Sequence, residues 1–201
     1  MIKTAQQFLG ASLAVKKQII DYYNHNCVKY VKPSRKYKVQ YGDNWCATFT
    51  SVIAHKCGLT ASEFPYECGV QEQVKIAKER GTFYTDTDLV KPNDLIIYDW
   101  DQNKWADHVG FIVSNVDGVL NVIEGNIRDT VGYRKVSLKS KSILGFIRIG
   151  YEDPKTDDEQ RLIALAHKVI KGELGIGLER QRHLGDDFKA VQEIVNKLLK
   201  K

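Results

Sequence analysis

The apolar pattern of this chain changes period once within its first 150 residues, and that change limits the fold more than any other feature. Up to Gly81 apolar residues recur at helical spacing; from Pro92 onward they alternate or run in short β-rich blocks. Helices first and strands afterwards give an α+β order with an antiparallel sheet. Thr4–Asn24 reads as an amphipathic helix, Cys46–Gly58 as a buried one, and Val70–Glu79 as a short one stopped by Gly81. Pro92-Asn93-Asp94 turns into the core-type strand Leu95-Ile96-Ile97-Tyr98. Val109–Val113 and Val119–Ile123 flank Asp117-Gly118, a strong hairpin signal, and Val131–Leu138 and Ile143–Tyr151 bring the expected strands to four or five.

Periodicity breaks at residues 151–156, Tyr151-Glu152-Asp153-Pro154-Lys155-Thr156, a polar proline-bearing stretch that reads as a linker. The expected organisation is a main domain over 1–150, this linker, and a helical unit over 157–201. In that last unit Leu162, Leu165, Ala166, Val169 and Ile170 form one apolar stripe. Val191, Ile194, Val195, Leu198 and Leu199 form another, and Gly172, Gly175 and Gly177 punctuate the middle, as in a small three-helix bundle.

Charge and cysteine count exclude several classes. The net charge of +5 resides in residues 1–150, and 151–201 are balanced. A mildly basic domain suits an anionic polymer, and the basic loop Lys29–Lys38 (Lys29, Lys32, Arg35, Lys36, Lys38) offers either a plain solvated face or a rim for one. There is no Gly-rich phosphate loop and no aromatic-interleaved basic helix for nucleic acid. Cys27, Cys46, Cys57 and Cys68 lack zinc-ligand spacing, and a chain of 201 residues closes a core without disulfide staples. Reduced cysteines fit synthesis in a cytoplasm. Phe8–Val15, broken by Gly10 and Ser12, is neither a signal peptide nor a membrane span.

The chemistry centres on Trp45-Cys46-Ala47-Thr48-Phe49. Cys46 opens the buried helix, with Asp43 and Asn44 placed to cap it. A thiol in a first helical turn meets unpaired N–H groups and the positive end of the dipole, which favour thiolate. Taken alone, Cys46 could equally be a small buried hydrophobe; a base decides between the two. His108, in Asp107-His108-Val109-Gly110 at the head of the hairpin, is that base, with its own alternative as a strand-end histidine. Glu124 and Asn126 on the return strand are the residues that could hold its tautomer, or else a surface carboxylate and a turn residue. Register decides whether they meet. A two-residue Asp117-Gly118 turn would point Glu124 away from His108. The three-residue loop Val116-Asp117-Gly118, or any loop of the same parity, puts His108 opposite Asn126, diagonal to Glu124, with Gly110 opposite Glu124. The three-residue loop is the expectation. Asp86, Asp88, Asp99 and Asp101 are expected in solvent-facing loops, where they could bind Ca²⁺ but lack the ligand spacing of an EF-hand.

The order Cys, His, Glu, Asn, with WCATF opening a helix, PNDLIIYDW, DHVGFIVS and IEGN, resembles the CHAP family of cysteine, histidine-dependent amidohydrolases and peptidases. That resemblance covers about residues 40–150. It implies a papain-like layout related to the NlpC-type hydrolases, and cleavage of bacterial peptidoglycan. By position it makes Cys46 the nucleophile, His108 the general base, Glu124 its orienter and Asn126 a further polar support. Some members carry an Asp-rich calcium loop before the cysteine. Only Asp43 stands there, so no metal and no cofactor are implied.

The tail, Val169-Ile170-Lys171-Gly172-Glu173-Leu174-Gly175-Ile176-Gly177 through Leu184-Gly185-Asp186-Asp187-Phe188, is similar to the three-helix wall-binding repeat of certain choline-independent phage lysozymes. Leu174 and Ile176 stand where that repeat usually has Trp and Asn. Arg180 and Asp187 fall on its polar positions, as wall-binding residues or as ordinary capping and ion-pairing groups. Together the resemblances imply a bacteriophage endolysin-like, bacteriolytic hydrolase, made in the host cytoplasm without a signal peptide and acting on the cell wall after release. Its partners would be peptidoglycan and anionic wall polymers, with neither nucleic acid nor membrane insertion. The bond cut would be that of an N-acetylmuramoyl-L-alanine amidase or of an endopeptidase in the stem or cross-bridge, the amidase being favoured. A non-catalytic wall-binding module and a general cysteine peptidase are the readings from other classes.

Overall fold

The computed structural model describes residues 1–150 and 157–199, and the chain divides into two compact units, Met1–Tyr151 and Glu152–Lys201. The linker expected over 151–156 lies outside the described residues. In the first unit the expected long N-terminal helix is two, α1 (Ile2–Gln6) and α2 (Leu13–Tyr22), followed by a π-helical turn, Tyr23–Cys27. Ser12 ends the continuity. Its hydroxyl accepts from Val15 N at 3.4 Å, while the Gly10 N–H, left-handed at φ 69°, reaches Val131 O at 2.9 Å.

The central helix α3 (Cys46–Lys56) is buried from Cys46 through Ala54, on every face, which is why its polar residues there are the small Thr48, Thr50 and Ser51. It packs against two strands of the sheet, β3 (His108–Val116) and β4 (Val119–Ile127). Gly125 makes that approach possible: a Cβ there would lie 2.5 Å from Phe49 Cβ and 2.7 Å from Phe49 Cγ. Helix α4 (Val70–Glu79) has the bounds its sequence indicates.

The remaining strands are β1 (Phe83–Tyr84), β2 (Leu95–Tyr98), β5 (Thr130–Ser137) and β6 (Ile143–Ile147). All six form one antiparallel sheet in the order β1-β6-β2-β3-β4-β5. The additional strand is β1, whose two residues are too few to show alternation. Strand β2 is buried along its whole length. Leu95 and Ile97 join the helix-side core, and Ile96 and Tyr98 join Ile112, Leu120, Val122 and Phe146 on the other face.

The β3–β4 hairpin corrects the loop expected from sequence. Val116 pairs with Val119 across a two-residue turn, Asp117 (φ 51°) and Gly118 (φ 76°). Continued without a break, that turn would face Glu124 away from His108. A β-bulge at Val113 restores the other parity: Ser114 still pairs with Asn121, but Ile112 pairs with Val122 and Phe111 with Ile123. The parity expected is present; the bulge, not the loop, supplies it.

The second unit holds α5 (Asp157–Ile170), α6 (Gly177–Leu184) and α7 (Phe188–Leu199) around Ala166, Val169, Leu184, Val191 and Val195. Ile170 and Leu199, placed on the stripes by sequence, are exposed. Among the described residues no helix is long and apolar enough to cross a membrane.

Candidate active site

Helix α3 begins without a side-chain cap at its N-cap residue, Trp45. Asp43 and Asn44, placed there by sequence, are engaged elsewhere. Asp43 Oδ2 accepts from Gln40 N (2.8 Å) and Tyr37 Oη (3.0 Å), and Asn44 Oδ1 accepts from Asn126 Nδ2 (3.0 Å). The mouth of α3 therefore presents its first N–H groups unobstructed by a carboxylate, with Cys46, 4% exposed, at its edge.

His108 is the first residue of β3, 8% exposed, and pairs across the sheet with Tyr98. The Cys46 thiol is near enough for its charge to act on the ring. The ring Nε2 lies 3.0 Å from Glu124 Oε2, which leaves Nδ1 as the nitrogen for the sulfur. Gly110 makes room for this diagonal contact, since a Cβ there would lie 2.6 Å from Glu124 Cγ. Burial alone would lower the imidazole pKa. Interactions with Cys46 and Glu124, with their negative charge, outweigh it and push the pKa up to about 9. Glu124 has no exposed surface. Its burial would favour the neutral acid, but the hydrogen bond and charge of His108, then Tyr98 and Arg134, hold its pKa below the usual carboxylate range.

Three residues of this constellation escaped the sequence reading. Arg134 on β5 directs Nε at both oxygens of Glu124, 3.0 and 2.9 Å away, and its guanidinium lies 5.0 Å from the Trp100 ring and 5.8 Å from that of Tyr98. Tyr98 and Trp100 stack at 4.4 Å, and both rings tilt against His108. A signal existed. Arg134 pairs with Val122, two residues from Glu124 on the same face, so a basic residue alternates with apolar ones beside a buried acid.

Asn126 is placed differently from the expectation. Strand β4 breaks register between Glu124 and Ile127, with Asn126 at φ 62°, and the β3–β4 pairing ends at Phe111 and Ile123. The Asn126 side chain thus meets Asn44 at the helix mouth rather than the imidazole. Asp99, expected in solvent, is 5% exposed and accepts from Asn103 N and Lys104 N. Its carboxylate gathers with those of Asp101 and Asp107, all within 4.8 Å, and Asp107 accepts from Trp100 N. These bonds shape the β2–β3 loop.

Two depressions flank the Cys46–His108 pair. One, of about 710 Å³, has His108, Trp100, Arg128, Tyr133 and Arg134 in its walls. The other, of about 380 Å³, is lined by Cys46, Asn44, Arg35, Cys68, Glu72 and Trp105 among others. In the second unit, Arg180 donates to Gly175 O and Gln192 Oε1, both at 3.2 Å. Asp187 pairs with Arg161, Oδ1 to Nη2 at 2.9 Å. Those two residues make separate contacts.

A thiol at a helix mouth, facing an imidazole held by a buried carboxylate on an antiparallel sheet, is the layout of papain-like cysteine hydrolases. The family profile of the CHAP domain matches residues 18–126, more than half of the chain, and the chain belongs to that family. A second profile, the CW_7 repeat, matches residues 164–199. Among solved structures, an NlpC/P60 family protein from Bacillus cereus ATCC 10987 aligns at 22% identity with a TM-score of 0.38. The alignment covers 54% of this chain and 32% of that one, so this chain spans about a third of that structure's length. No curated protein matches the chain.

Proposed function

We propose that this protein is a peptidoglycan hydrolase of the endolysin type, with Cys46 as nucleophile, His108 as general base and acid, and Glu124 as the group that orients His108. The observation that carries this reading is one imidazole, that of His108, set 3.0 Å from the buried Glu124 carboxylate and within electrostatic reach of the Cys46 thiol at the helix mouth. The Cys46 thiolate attacks the carbonyl carbon of a wall amide, and the oxyanion settles against the Cys46 N–H at the uncapped mouth of α3. The imidazolium gives its proton to the leaving nitrogen as the C–N bond breaks, leaving a thioester. The neutral ring then takes a proton from water, whose oxygen attacks the thioester. An acid is released and the thiolate–imidazolium pair is restored. Asn126 acts by fixing Asn44 Oδ1, which directs the Asn44 amide nitrogen, a second donor, along the wall of the Cys46 pocket.

The bond favoured is the amide between muramic acid and the stem peptide, as in an N-acetylmuramoyl-L-alanine amidase; an endopeptidase of stem or cross-bridge uses the same chemistry. The C-terminal repeat, over 157–201 after a 151–156 linker, would hold the 1–150 domain on the wall, with Arg180 and Asp187 in contact with it. The loop Lys29–Lys38 would favour anionic wall polymers; of its cations, Arg35 turns toward Glu67 and Glu72 and Lys32 toward Glu79. Release from a host cytoplasm onto the wall completes this reading.

The test is turbidity loss of purified walls. Wild type clears them, and Cys46→Ala does not but still sediments with them. Clearing by Cys46→Ala would end the proposal. Mass spectrometry of the fragments separates intact free stems, an amidase product, from shortened stems, an endopeptidase product.

A further inference from the structure

The two depressions beside the reacting pair differ in charge. In the smaller one Arg35 is matched by Glu67 and Glu72. The larger one has no acidic side chain in its walls and two guanidinium groups, Arg128 and Arg134. Arg134 uses only Nε on Glu124. Among the described residues neither its Nη1 nor its Nη2 has an acceptor, and its central carbon lies 5.0 Å from the centre of the Trp100 ring. Arg128 likewise meets no acceptor among the described residues. It stands on a turn that is fixed. Its neighbour Asp129 accepts from Lys16 Nζ at 2.6 Å and from Trp45 Nε1 at 3.2 Å, and Thr130 Oγ1 donates to Ala11 O at 2.8 Å. Trp100 and Tyr133, 44% and 43% exposed, supply flat apolar walls between the two cations. A preorganised guanidinium with free terminal N–H groups beside an aromatic plate is built to receive a planar anion.

Direction follows from the proton. The leaving nitrogen must end beside the His108 ring, and that ring is a wall of the larger groove, whereas Cys46 lines the smaller one. The acyl half of the substrate therefore occupies the Cys46 side, and the amine half runs into the groove with the arginines. For the favoured amidase bond the amine half is the stem peptide, which ends in a carboxylate and has a second one wherever its glutamate is not amidated.

We propose that the groove formed by Trp100, Arg128, Tyr133 and Arg134 is a subsite for a free carboxylate on the leaving-side stem peptide, so that the enzyme prefers non-amidated stems. This rests on the hydrolase reading, and the experiment separates the two. Two soluble muropeptides are compared that differ only in whether the carboxylates of the leaving peptide are free or amidated. For the wild type, kcat/KM for the free form exceeds that for the amidated form by roughly ten- to a hundredfold, the range for a charge-assisted pair. Arg128→Asn, chosen because asparagine tolerates the φ of 53° at that position, and Arg134→Gln each bring the ratio toward one. Arg134→Gln also slows both substrates by loosening Glu124, so the ratio is what is read. A wild-type ratio near one, or a ratio that both variants leave intact, overturns the subsite while hydrolysis stands. Failure to cut either muropeptide or whole walls overturns the hydrolase reading and the subsite with it.

Discussion

Glu124→Gln removes one buried charge from beside His108 and almost no volume. In the wild type the carboxylate accepts from His108 Nε2 and from Arg134 Nε at both oxygens. The amide keeps a single acceptor oxygen and leaves the guanidinium without its counter-charge. His108, pushed up to about 9, owes part of that rise to Cys46 and part to Glu124. A hydrogen bond between charged groups is worth about 1.5–3 kcal/mol, so losing the Glu124 share lowers the imidazole pKa by roughly one to two units. The sign is fixed by the chemistry. The ring must be charged to protonate the leaving nitrogen, so activity persists below the folded pKa and falls as pH rises through about 9. In the variant that fall moves to lower pH, and the rate at neutral pH drops by roughly 10²–10⁴-fold. Stability follows the same sign. The charged ring contributes fully below 6.5, and that contribution fades as pH rises through about 9, a window that narrows in the variant. The assay is the initial rate of wall clearing across neutral and alkaline pH, with a thermal melt to confirm folding. A variant that is folded and slow, yet keeps its alkaline fall near the wild-type position, would refute the claim that Glu124 holds the charge on His108.

Two further outcomes test how the fold sets the site. Gly125→Ala forces a Cβ to 2.5 Å from Phe49 Cβ, an atom too close to the backbone of a buried helix to yield, and should destabilise the first unit by about 1–3 kcal/mol in urea titration. Deleting Val113 removes the extra residue and leaves Ile112 opposite Val122 and Ser114 opposite Asn121 as consecutive pairs, so His108 keeps its face. Wall clearing and far-UV circular dichroism should both survive, and loss of clearing in a folded variant would contradict the parity account.

The helix-then-strand order, the buried Cys46 helix, α4, β2 and the hairpin were legible in the sequence because each is written in local periodicity or in a turn pair. The contact of His108 with Glu124 was legible only as a parity, since a bulge at Val113 and a longer loop have the same effect and Val113 carries no bulge signature. Ser12 was visible as an interruption, yet its action as a cap depends on Gly10 being tied to Val131, a contact more than a hundred residues away. Capping by Asp43 or Asn44 was a sound local expectation overridden by other partners, the neighbouring Gln40 and Tyr37 for Asp43 and the distant Asn126 for Asn44. Arg134, Tyr98 and Trp100 were missed because each has an ordinary strand or loop context; only the pairing of β5 with β4 and of β2 with β3 assembles them around one carboxylate.

The central claim, that the Cys46 sulfur is activated by His108, is tested most directly by the rate at which each cysteine reacts with iodoacetamide, followed by peptide mass spectrometry at neutral pH. Cys68 is the natural control. It is more exposed than Cys46, but burial and the neighbouring Glu67 charge raise its pKa. Cys46 should be labelled at least about tenfold faster than Cys68, and His108→Ala should abolish that advantage without altering Cys68. Labelling that begins at Cys68, or a Cys46 rate indifferent to the loss of the imidazole, would contradict it.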